Sequence, residues 1–379
     1  MVVYFVYLRV FVLSWSLQVA DVRIVVAMSG GVDSSVAAAL LAEQGHDVIG
    51  VSMQLYDQTD GQTSFGSCCS IDDLHDARRV AAAIDIPHYI LNFERQFDEQ
   101  VVTNFVNEYA SGRTPLPCAR CNSDLKFATL AQRAAGFGAD AVATGHYARV
   151  ERDPSTGRYL LRRGVDPSKD QAYFLFSLTQ AQLARAMFPV GDRPKESVRE
   201  YARQRQLPVA DKPDSQEICF IPDHDYASFI SKRSPDVAHG GPIVDLEGRV
   251  LGAHDGIHRF TIGQRRGLGV SSSAGPAAAP LYVIALKPDD RQVVVGPKTA
   301  LEQTTLTASG VNWILDPPTQ SRRVAAQIRH RHRPAPASVR AVGNDRAELM
   351  FDEPQIAVTP GQAVVFYEDD VVVGGGWID

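Results

Sequence analysis

The first half of the chain alternates short apolar runs with longer amphipathic stretches. The apolar runs 22–26, 47–53, 87–92 and 139–144 have the length and composition of buried strands. Between them apolar residues recur at helical spacing, as in the stretch 98–110. Strand, helix and strand in this order give parallel neighbours joined by a crossover. The pattern therefore predicts an α/β domain built on a parallel sheet.

The second half of the chain changes to short strands separated by turns. Residues 240–252 have the pattern of a hairpin with its turn at 247–248, and two further strands follow at 281–286 and 292–296. From about residue 300 onward the strands suggest a closed antiparallel barrel, which leaves no free edge. The predicted barrel strands are 323–330, 337–342, 346–351, 363–367 and 371–377.

Length and charge limit the functions that this pattern allows. A chain of 379 residues is too long for one ordinary core, so two or three domains are expected. Its formal net charge of −6 gives no global field that attracts a polyanion, so any nucleic acid must bind a local patch. One stretch without acidic residues, 318–343, is a candidate for contact with RNA, although a solvated strand face is the alternative. Its arginines are Arg322, Arg323, Arg329, Arg331, Arg333 and Arg340.

The first residues and the cysteines bear on location. Residues 1–20 are apolar, but Arg9 interrupts them and no basic segment precedes them, so we favour an upstream extension or a disordered tail over a signal peptide or membrane anchor. The odd count of five cysteines in a large chain indicates thiols in a reducing compartment. We therefore expect a cytoplasmic protein that does not bind a membrane. The vicinal pair Cys68 and Cys69 is interpreted as loop chemistry without a catalytic role.

A glycine-rich turn carries the first candidate chemistry. Residues 29–35 are Ser-Gly-Gly-Val-Asp-Ser-Ser and lie between a predicted strand and a predicted helix. Glycines let the backbone approach a ligand, and a helix N-terminus directs N–H groups at an anion. Asp33 adds a carboxylate where a phosphate-bound Mg²⁺ could sit. No lysine follows the glycines, so the turn is not a Walker A loop, and a plain turn of a doubly wound domain is the alternative.

With its serines and aspartate, this turn resembles the PP-loop of the ATP pyrophosphatase superfamily. Two further motifs follow in order: Gly-Arg-Thr-Pro-x-Pro-x-x-x-Cys-Asn-x-x-x-Lys-Phe at 112–127 and Ala-Thr-Gly-His-Tyr at 143–147. Together they resemble the tRNA-specific 2-thiouridylase family, over residues 22–379. Further stretches that carry the resemblance are 169–175, 188–191, 214–221, 263–269 and 359–362.

The resemblance implies a fold and a nucleotide site. The expected fold is a PP-loop domain with a parallel sheet, like the adenine nucleotide α-hydrolases, then a small β-rich central domain and a C-terminal antiparallel β-barrel. The expected division is an extension at 1–21, a catalytic domain at 22–221, a central domain at 222–298 and a barrel at 299–379. ATP and Mg²⁺ are the expected cofactors. The expected nucleotide-binding residues are Ala27, Met28, Ser29, Gly30, Gly31, Val32, Asp33, Ser34, Met53 and Gly145.

The resemblance also implies a reaction: ATP-dependent 2-thiolation of the wobble uridine of tRNA by a sulfurtransferase. ATP would adenylate the uridine O2, a persulfide on Cys219 would supply sulfur, and Cys121 would resolve the exchange. The partners would be tRNA and a persulfide donor, either a cysteine desulfurase or a sulfur relay protein. The residues expected at the tRNA are Leu116, Pro117, Cys118, Lys169, Asp170, Gln171, Arg331 and His332.

Two positions depart from the family pattern. Cys118 stands where some members have Asp, and His332 replaces a Tyr-like residue. Cys118, Cys121 and Cys219 also make three thiols where a persulfide route needs two, which raises the hypothesis of a [4Fe–4S] cluster with one open iron. A small-molecule PP-loop ligase and a tRNA-binding module with an inactive site are the alternative functions.

Overall fold

The structure is a computed structural model that describes residues 22–56, 70–214, 218–221, 225–270 and 280–379. Three expectations fall on residues outside these ranges. They are the extension at 1–21, the pair Cys68 and Cys69, and the mobile loop that the Ser/Ala/Gly/Pro-rich composition of 271–280 predicts, of which only residue 280 is described.

The first domain is built on a parallel sheet with strand order β3-β2-β1-β4-β7, which confirms the predicted fold class. Ile24, Val25 and Val26 of the central strand are fully buried, because helices cover both faces of the sheet. The strands of this domain are β1 (Arg23–Ala27), β2 (Asp47–Gln54), β3 (His88–Asn92), β4 (Ala141–Ala143), β5 (Ala148–Arg152), β6 (Tyr159–Arg163) and β7 (Ala186–Met187).

The helices lie between these strands and continue into the central domain. They are α1 (Val32–Glu43), α2 (Ile71–Ala83), α3 (Glu94–Phe97), α4 (Thr103–Ala110), α5 (Pro117–Arg120), α6 (Ala131–Gly136), α7 (Gln180–Leu183), α8 (Lys195–Gln204) and α9 (Tyr226–Arg233). Two π-helical segments (Asp98–Val102 and Cys121–Leu130) and four 3₁₀ turns (Ala172–Leu175, Pro235–Ala238, Ile257–Arg259 and Lys298–Leu301) complete them.

The two prolines and the Cys-x-x-Cys of residues 115–121 predict a loop, but this prediction is wrong, because the segment that carries Cys118 and Cys121 is helical. Pro117 is the first residue of α5, where its missing N–H costs nothing and its fixed φ favours a helix. The chain then continues without a break into the π-helical segment Cys121–Leu130. The two prolines therefore start a helix and do not keep the chain irregular.

The central domain is a small β-sheet with order β10-β11-β8-β9. The predicted hairpin is present, and Gly248 takes a φ of +83° in its turn. The strands are β8 (Gly241–Val244), β9 (Val250–His254), β10 (Tyr282–Lys287) and β11 (Gln292–Gly296).

The C-terminal part is the predicted closed antiparallel barrel. Its first strand, β12 (Glu302–Trp313), pairs with both β15 and β17 and so closes the sheet. The sequence pattern missed β12, because its first half is polar and exposed. The other strands are β13 (Arg322–Gln327), β14 (Ala335–Val342), β15 (Arg346–Ile356), β16 (Ala363–Glu368) and β17 (Val371–Ile378).

A hairpin of the first domain extends the barrel sheet. Strands β5 and β6 pair with each other, and Arg162 of β6 pairs with Val371 of β17. The Arg162 guanidinium also donates to Asp370 at 2.6 Å. The first domain and the barrel therefore share one hydrogen-bonded sheet.

Within the described residues, no helix has both the length and the apolar character needed to cross a membrane.

Candidate active site

The turn between β1 and α1 has a backbone that only glycine can form. Gly30 takes a φ of +73°, and a Cβ there would lie 2.2 Å from the carbonyl oxygen of Asp73. The Ser29 N–H donates to the Ser34 hydroxyl at 3.2 Å, which fixes the turn against the helix. Because the first N–H groups of a helix have no intrahelical acceptor, the N-terminus of α1 can receive an anion here.

The end of β4 lies directly against this turn. A Cβ at Gly145 would stand 2.5 Å from the Ser34 nitrogen, so the two backbones are in contact. Met28 and Val32 bury their side chains in the core, and the backbone of Met28 is itself engaged, since its N–H donates to the Val51 carbonyl at 2.8 Å and its carbonyl accepts from the Ser52 hydroxyl at 2.7 Å. Met53 is also a core residue, with 6% of its surface exposed.

Lys212 connects the nucleotide turn to α2. Its ammonium donates to the Gly30 carbonyl at 3.1 Å, to Asp73 at 2.5 Å and to Asp76 at 2.6 Å. Although desolvation alone would lower it, the two carboxylates raise the pKa of Lys212, which stays charged. The contact ties the start of α2 to the nucleotide turn.

Both oxygens of the Asp33 carboxylate are engaged, by Lys195, which lies outside the quoted motifs, and by Tyr147, the last residue of the motif at 143–147. Lys195 donates to them at 2.7 and 2.8 Å, and the Tyr147 hydroxyl donates to Oδ1 at 2.7 Å. Burial and the Asp33 charge raise the pKa of Tyr147, so its hydroxyl stays a donor. Lys195 is the first residue of α8, where the helix dipole disfavours a cation, and that conflict was the available sign of a special role.

Lys195 also bonds to Asp214, the first residue of the motif 214–221 that contains Cys219. Lys195, Lys169 and Arg199 contact this carboxylate at 2.8, 2.8 and 2.7 Å. Burial would raise the pKa of Asp214, but the bonds from Lys169 and Lys195 lower it to about 2. Asp214 is therefore ionised at neutral pH.

The two expected catalytic thiols pack on the same hydrophobic core. Cys121 and Cys219 are half-buried and both contact the core cluster of the first domain, whereas Cys118 is exposed. Phe220, next to Cys219, packs edge-on against Phe97 and Phe105 at centroid distances of 5.5 and 5.2 Å. These aromatic contacts fix the chain beside Cys219.

The structure does not gather a metal-ligand set from these thiols. In the described ranges no group of three or more His, Cys, Asp or Glu side chains is placed to hold a metal ion. Cys118, Cys121 and Cys219 as arranged here do not fit the proposed [4Fe–4S] cluster.

The segment expected at the tRNA contains one exposed cation and two structural side chains. Lys169 keeps 38% of its side chain exposed. Asp170 is buried and accepts from Arg163 at 2.8 Å, and Gln171 accepts from the Tyr147 N–H at 2.9 Å. The side chains of Asp170 and Gln171 thus hold the segment in place.

The barrel brings its basic turn to the same side. The His330 ring lies 4.5 Å from that of Phe174, which follows the segment 169–171. Arg331 and Arg333 are exposed, while His332 is half-buried and shares a 3.0 Å hydrogen bond with Gln355. Burial and Arg329 lower the pKa of His332, so its ring is neutral at pH 7.

The expected arginine patch is smaller than the sequence suggested. Arg322, Arg323 and Arg340 form ion pairs with Glu368, Asp352 and Glu348. These acids lie on other strands of the barrel, β15 and β16, so a stretch without acids in sequence still has acids beside it in the fold. The exposed turn at 329–333 remains as the basic surface.

A second turn of the barrel holds the chain that precedes Cys118. The Thr114 N–H donates to the Pro360 carbonyl at 2.9 Å, and the Gln362 amide donates to the Thr114 and Pro115 carbonyls at 3.1 and 3.2 Å. Gly361, with a φ of +86°, leaves room for this close approach. The motif 359–362 therefore positions the chain that leads into residues 116–118, which are expected at the tRNA.

Comparison with known proteins covers all three parts of the chain. Family models match the tRNA methyl transferase HUP domain at 22–223, the tRNA methyl transferase PRC-barrel domain at 227–297 and the aminomethyltransferase beta-barrel domain at 303–378. A protein of Geotalea uraniireducens named tRNA-specific 2-thiouridylase MnmA is 52% identical over 94% of this chain and 95% of its own. One of the same name from Rhodospirillum centenum is 49% identical over 94% of this chain and 92% of its own. A solved 4-thiouridine synthetase–RNA complex with bound ATP matches with 17% identity and a TM-score of 0.34 over 56% of this chain and 50% of its own.

Proposed function

The chain belongs to the tRNA-specific 2-thiouridylase family of sulfurtransferases, and we propose that it uses ATP to replace the C2 oxygen of the wobble uridine of tRNA with sulfur. The observation that carries the proposal is the joint presence of an intact nucleotide turn and two thiols, Cys121 and Cys219, on one core. A small-molecule PP-loop ligase would need the turn but neither thiol.

The nucleotide turn supports the ATP half of the reaction. The N-terminus of α1 would receive the phosphates, and Asp33 supplies the oxygen ligands that Mg²⁺ prefers. The bound cation would neutralise charge on the phosphates. Because Lys195 now donates to both oxygens of Asp33, a cation bound there would repel that ammonium. Attack of the uridine O2 on the α-phosphate would release pyrophosphate and make the oxygen part of a good leaving group, AMP.

The two thiols support the sulfur half. A persulfide on Cys219, received from a donor protein, would attack C2 through its terminal sulfur and expel AMP. The Cys121 thiolate would then attack the Cys219 sulfur, break the S–S bond and release 2-thiouridine, which takes up a proton at N3. The product enzyme carries a Cys121–Cys219 disulfide, so an external dithiol must reduce it between turnovers.

The thiols give the sharpest test. Cys219→Ser and Cys121→Ser are each expected to abolish 2-thiouridine in the tRNA of a strain that lacks its own 2-thiouridylase, as measured by nucleoside mass spectrometry. Cys69→Ser is the matched control and should restore the modification as the wild-type chain does. tRNA-dependent ATP–pyrophosphate exchange should persist in Cys219→Ser, because adenylation precedes sulfur transfer. Restoration of 2-thiouridine by Cys219→Ser would refute the sulfur half of the proposal, and its absence with the wild-type chain would refute the function.

A further inference from the structure

A continuous chain of ion pairs connects the nucleotide turn to the segment expected at the tRNA. Asp33 of the turn bonds to Lys195, Lys195 bonds to Asp214, and Asp214 bonds to Lys169. Every N···O distance in this chain is 2.7 or 2.8 Å. Arg199 adds a third cation to Asp214 and also donates to the Ala210 and Lys212 carbonyls, which fixes the chain before it.

Lys195 has its full set of hydrogen-bond acceptors. An ammonium has three N–H donors, and here three oxygens accept from it: both of Asp33 and Oδ1 of Asp214. The residue is 8% exposed, so water screens these bonds weakly. A cation bound at Asp33 would repel the Lys195 ammonium toward Asp214, the other carboxylate that this ammonium already contacts.

If Lys195 moves closer to Asp214, the other cations on this carboxylate are bound less strongly. Its Oδ1 already accepts from Lys195 and Arg199, and its Oδ2 accepts from Lys169. A closer Lys195 neutralises more of the Asp214 charge and repels Lys169, so the ion pair between Asp214 and Lys169 weakens. Lys169 is the more exposed of the two lysines. Lys169 then becomes available to an RNA phosphate. The reverse also follows, because a phosphate that removes Lys169 leaves Asp214 to draw Lys195 away from Asp33.

We propose that Lys195 and Asp214 are positioning residues that couple the binding of nucleotide to the binding of tRNA. The inference rests on the proposed function, since it takes Asp33 as the nucleotide ligand and Lys169 as an RNA contact. Coupling between two sites is reciprocal, so ATP and tRNA strengthen each other's binding by the same factor. Neither residue needs to touch a reacting atom.

Equilibrium binding with the full chain tests the coupling. Wobble-uridine tRNA is titrated with and without Mg²⁺ and an ATP analogue whose α,β-bridge is a methylene group. The wild-type chain should bind tRNA at least about fivefold more tightly with the analogue, and the analogue should gain the same factor from tRNA. In Asp214→Asn the factor should fall to about one. This variant should also bind tRNA without nucleotide about as tightly as the wild-type chain does with it, because Lys169 is released permanently.

Asp211→Asn is the matched control. Asp211 lies three residues earlier, and its pair with Arg203 leaves 82% of its side chain exposed. It should keep the wild-type factor. A variant that merely misfolds would lose tRNA affinity, so gained affinity in Asp214→Asn separates coupling from damage.

Two results would overturn the inference. If the wild-type chain thiolates tRNA yet the analogue leaves the tRNA affinity unchanged, the coupling is absent while the proposed function stands. If Asp214→Asn keeps the wild-type factor, another path connects the sites. Failure of the wild-type chain both to bind the analogue and to thiolate tRNA would instead remove the proposed function.

Discussion

The nucleotide turn is assembled from single residues that come from distant parts of the chain. Gly30, Asp33 and Gly145 lie in short sequence motifs, and the residues around them indicate what each motif does. The structure places Gly30 and Asp33 in one turn, with Gly145 packed against it. Lys195 and Tyr147 belong to separate segments and meet Asp33 only after folding. Tyr147 ends the motif at 143–147 and Lys195 begins a helix, but neither position indicates Asp33 as the partner, so these contacts could not be predicted.

Gly145→Ala tests the contact between β4 and the nucleotide turn. The added methyl group would stand 2.5 Å from the Ser34 nitrogen, which forces the turn to move. ATP affinity should fall at least about tenfold, or about 1.4 kcal/mol, as measured by calorimetric titration. Gly136→Ala, which meets nothing within 4 Å at the end of α6, should leave ATP affinity unchanged. Equal affinities in both variants would mean that the turn tolerates displacement.

Secondary-structure elements were predictable where periodicity was strong and missed where it was weak. The parallel strands and the later barrel strands have regular apolar patterns. Strand β12 begins with Glu-Gln-Thr-Thr, and its burial comes from pairing with strands far along the chain. The helix at 117–120 was missed because two prolines suggested a loop, although Pro117 begins it.

Gln362→Ala tests whether the barrel turn at 359–362 fixes the segment before Cys118. The change removes hydrogen bonds to the Thr114 and Pro115 carbonyls, each worth about 1 kcal/mol. Hydrogen exchange of the Thr114 amide should become about tenfold faster, as measured by mass spectrometry or NMR. Gln303→Ala, an exposed position on β12, serves as the control. Unchanged exchange in Gln362→Ala would show that the Pro360 carbonyl alone holds the segment.

At the scale of the whole molecule, the arrangement of the domains decides which charges face outward. The sequence correctly predicted a barrel but overestimated its basic surface. The acids that pair with the arginines lie on other strands, far away in the sequence, so a local stretch of sequence does not show them. Arg331 and Arg333 stay exposed beside the segment 169–174, whereas Arg323 and Arg340 are paired. The tRNA surface is therefore expected to span both domains.

Replacing Arg331 and Arg333 with Ala should weaken tRNA binding and lower the slope of log K against log salt by about two, roughly one for each lost phosphate contact. Filter binding over a range of salt concentrations measures this. The double variant of Arg323 and Arg340 has the same change in charge and should alter the slope far less. The opposite ranking would place the RNA on the other face of the barrel.

The sheet that joins β6 to β17 also sets an order of events during synthesis. Arg162 and its partner Asp370 are 208 residues apart in the chain, so the hairpin leaves the ribosome long before the strand that covers its edge. Until then β6 presents an open edge, the kind of surface that recruits other unfinished chains. Four arginines along this hairpin would discourage such pairing before β17 is made, because like charges repel. They are Arg149, Arg152, Arg162 and Arg163. A nascent chain that stalls after β6 but before β17 would have a complete nucleotide turn, while the edge of its β5–β6 hairpin would still lack a partner strand.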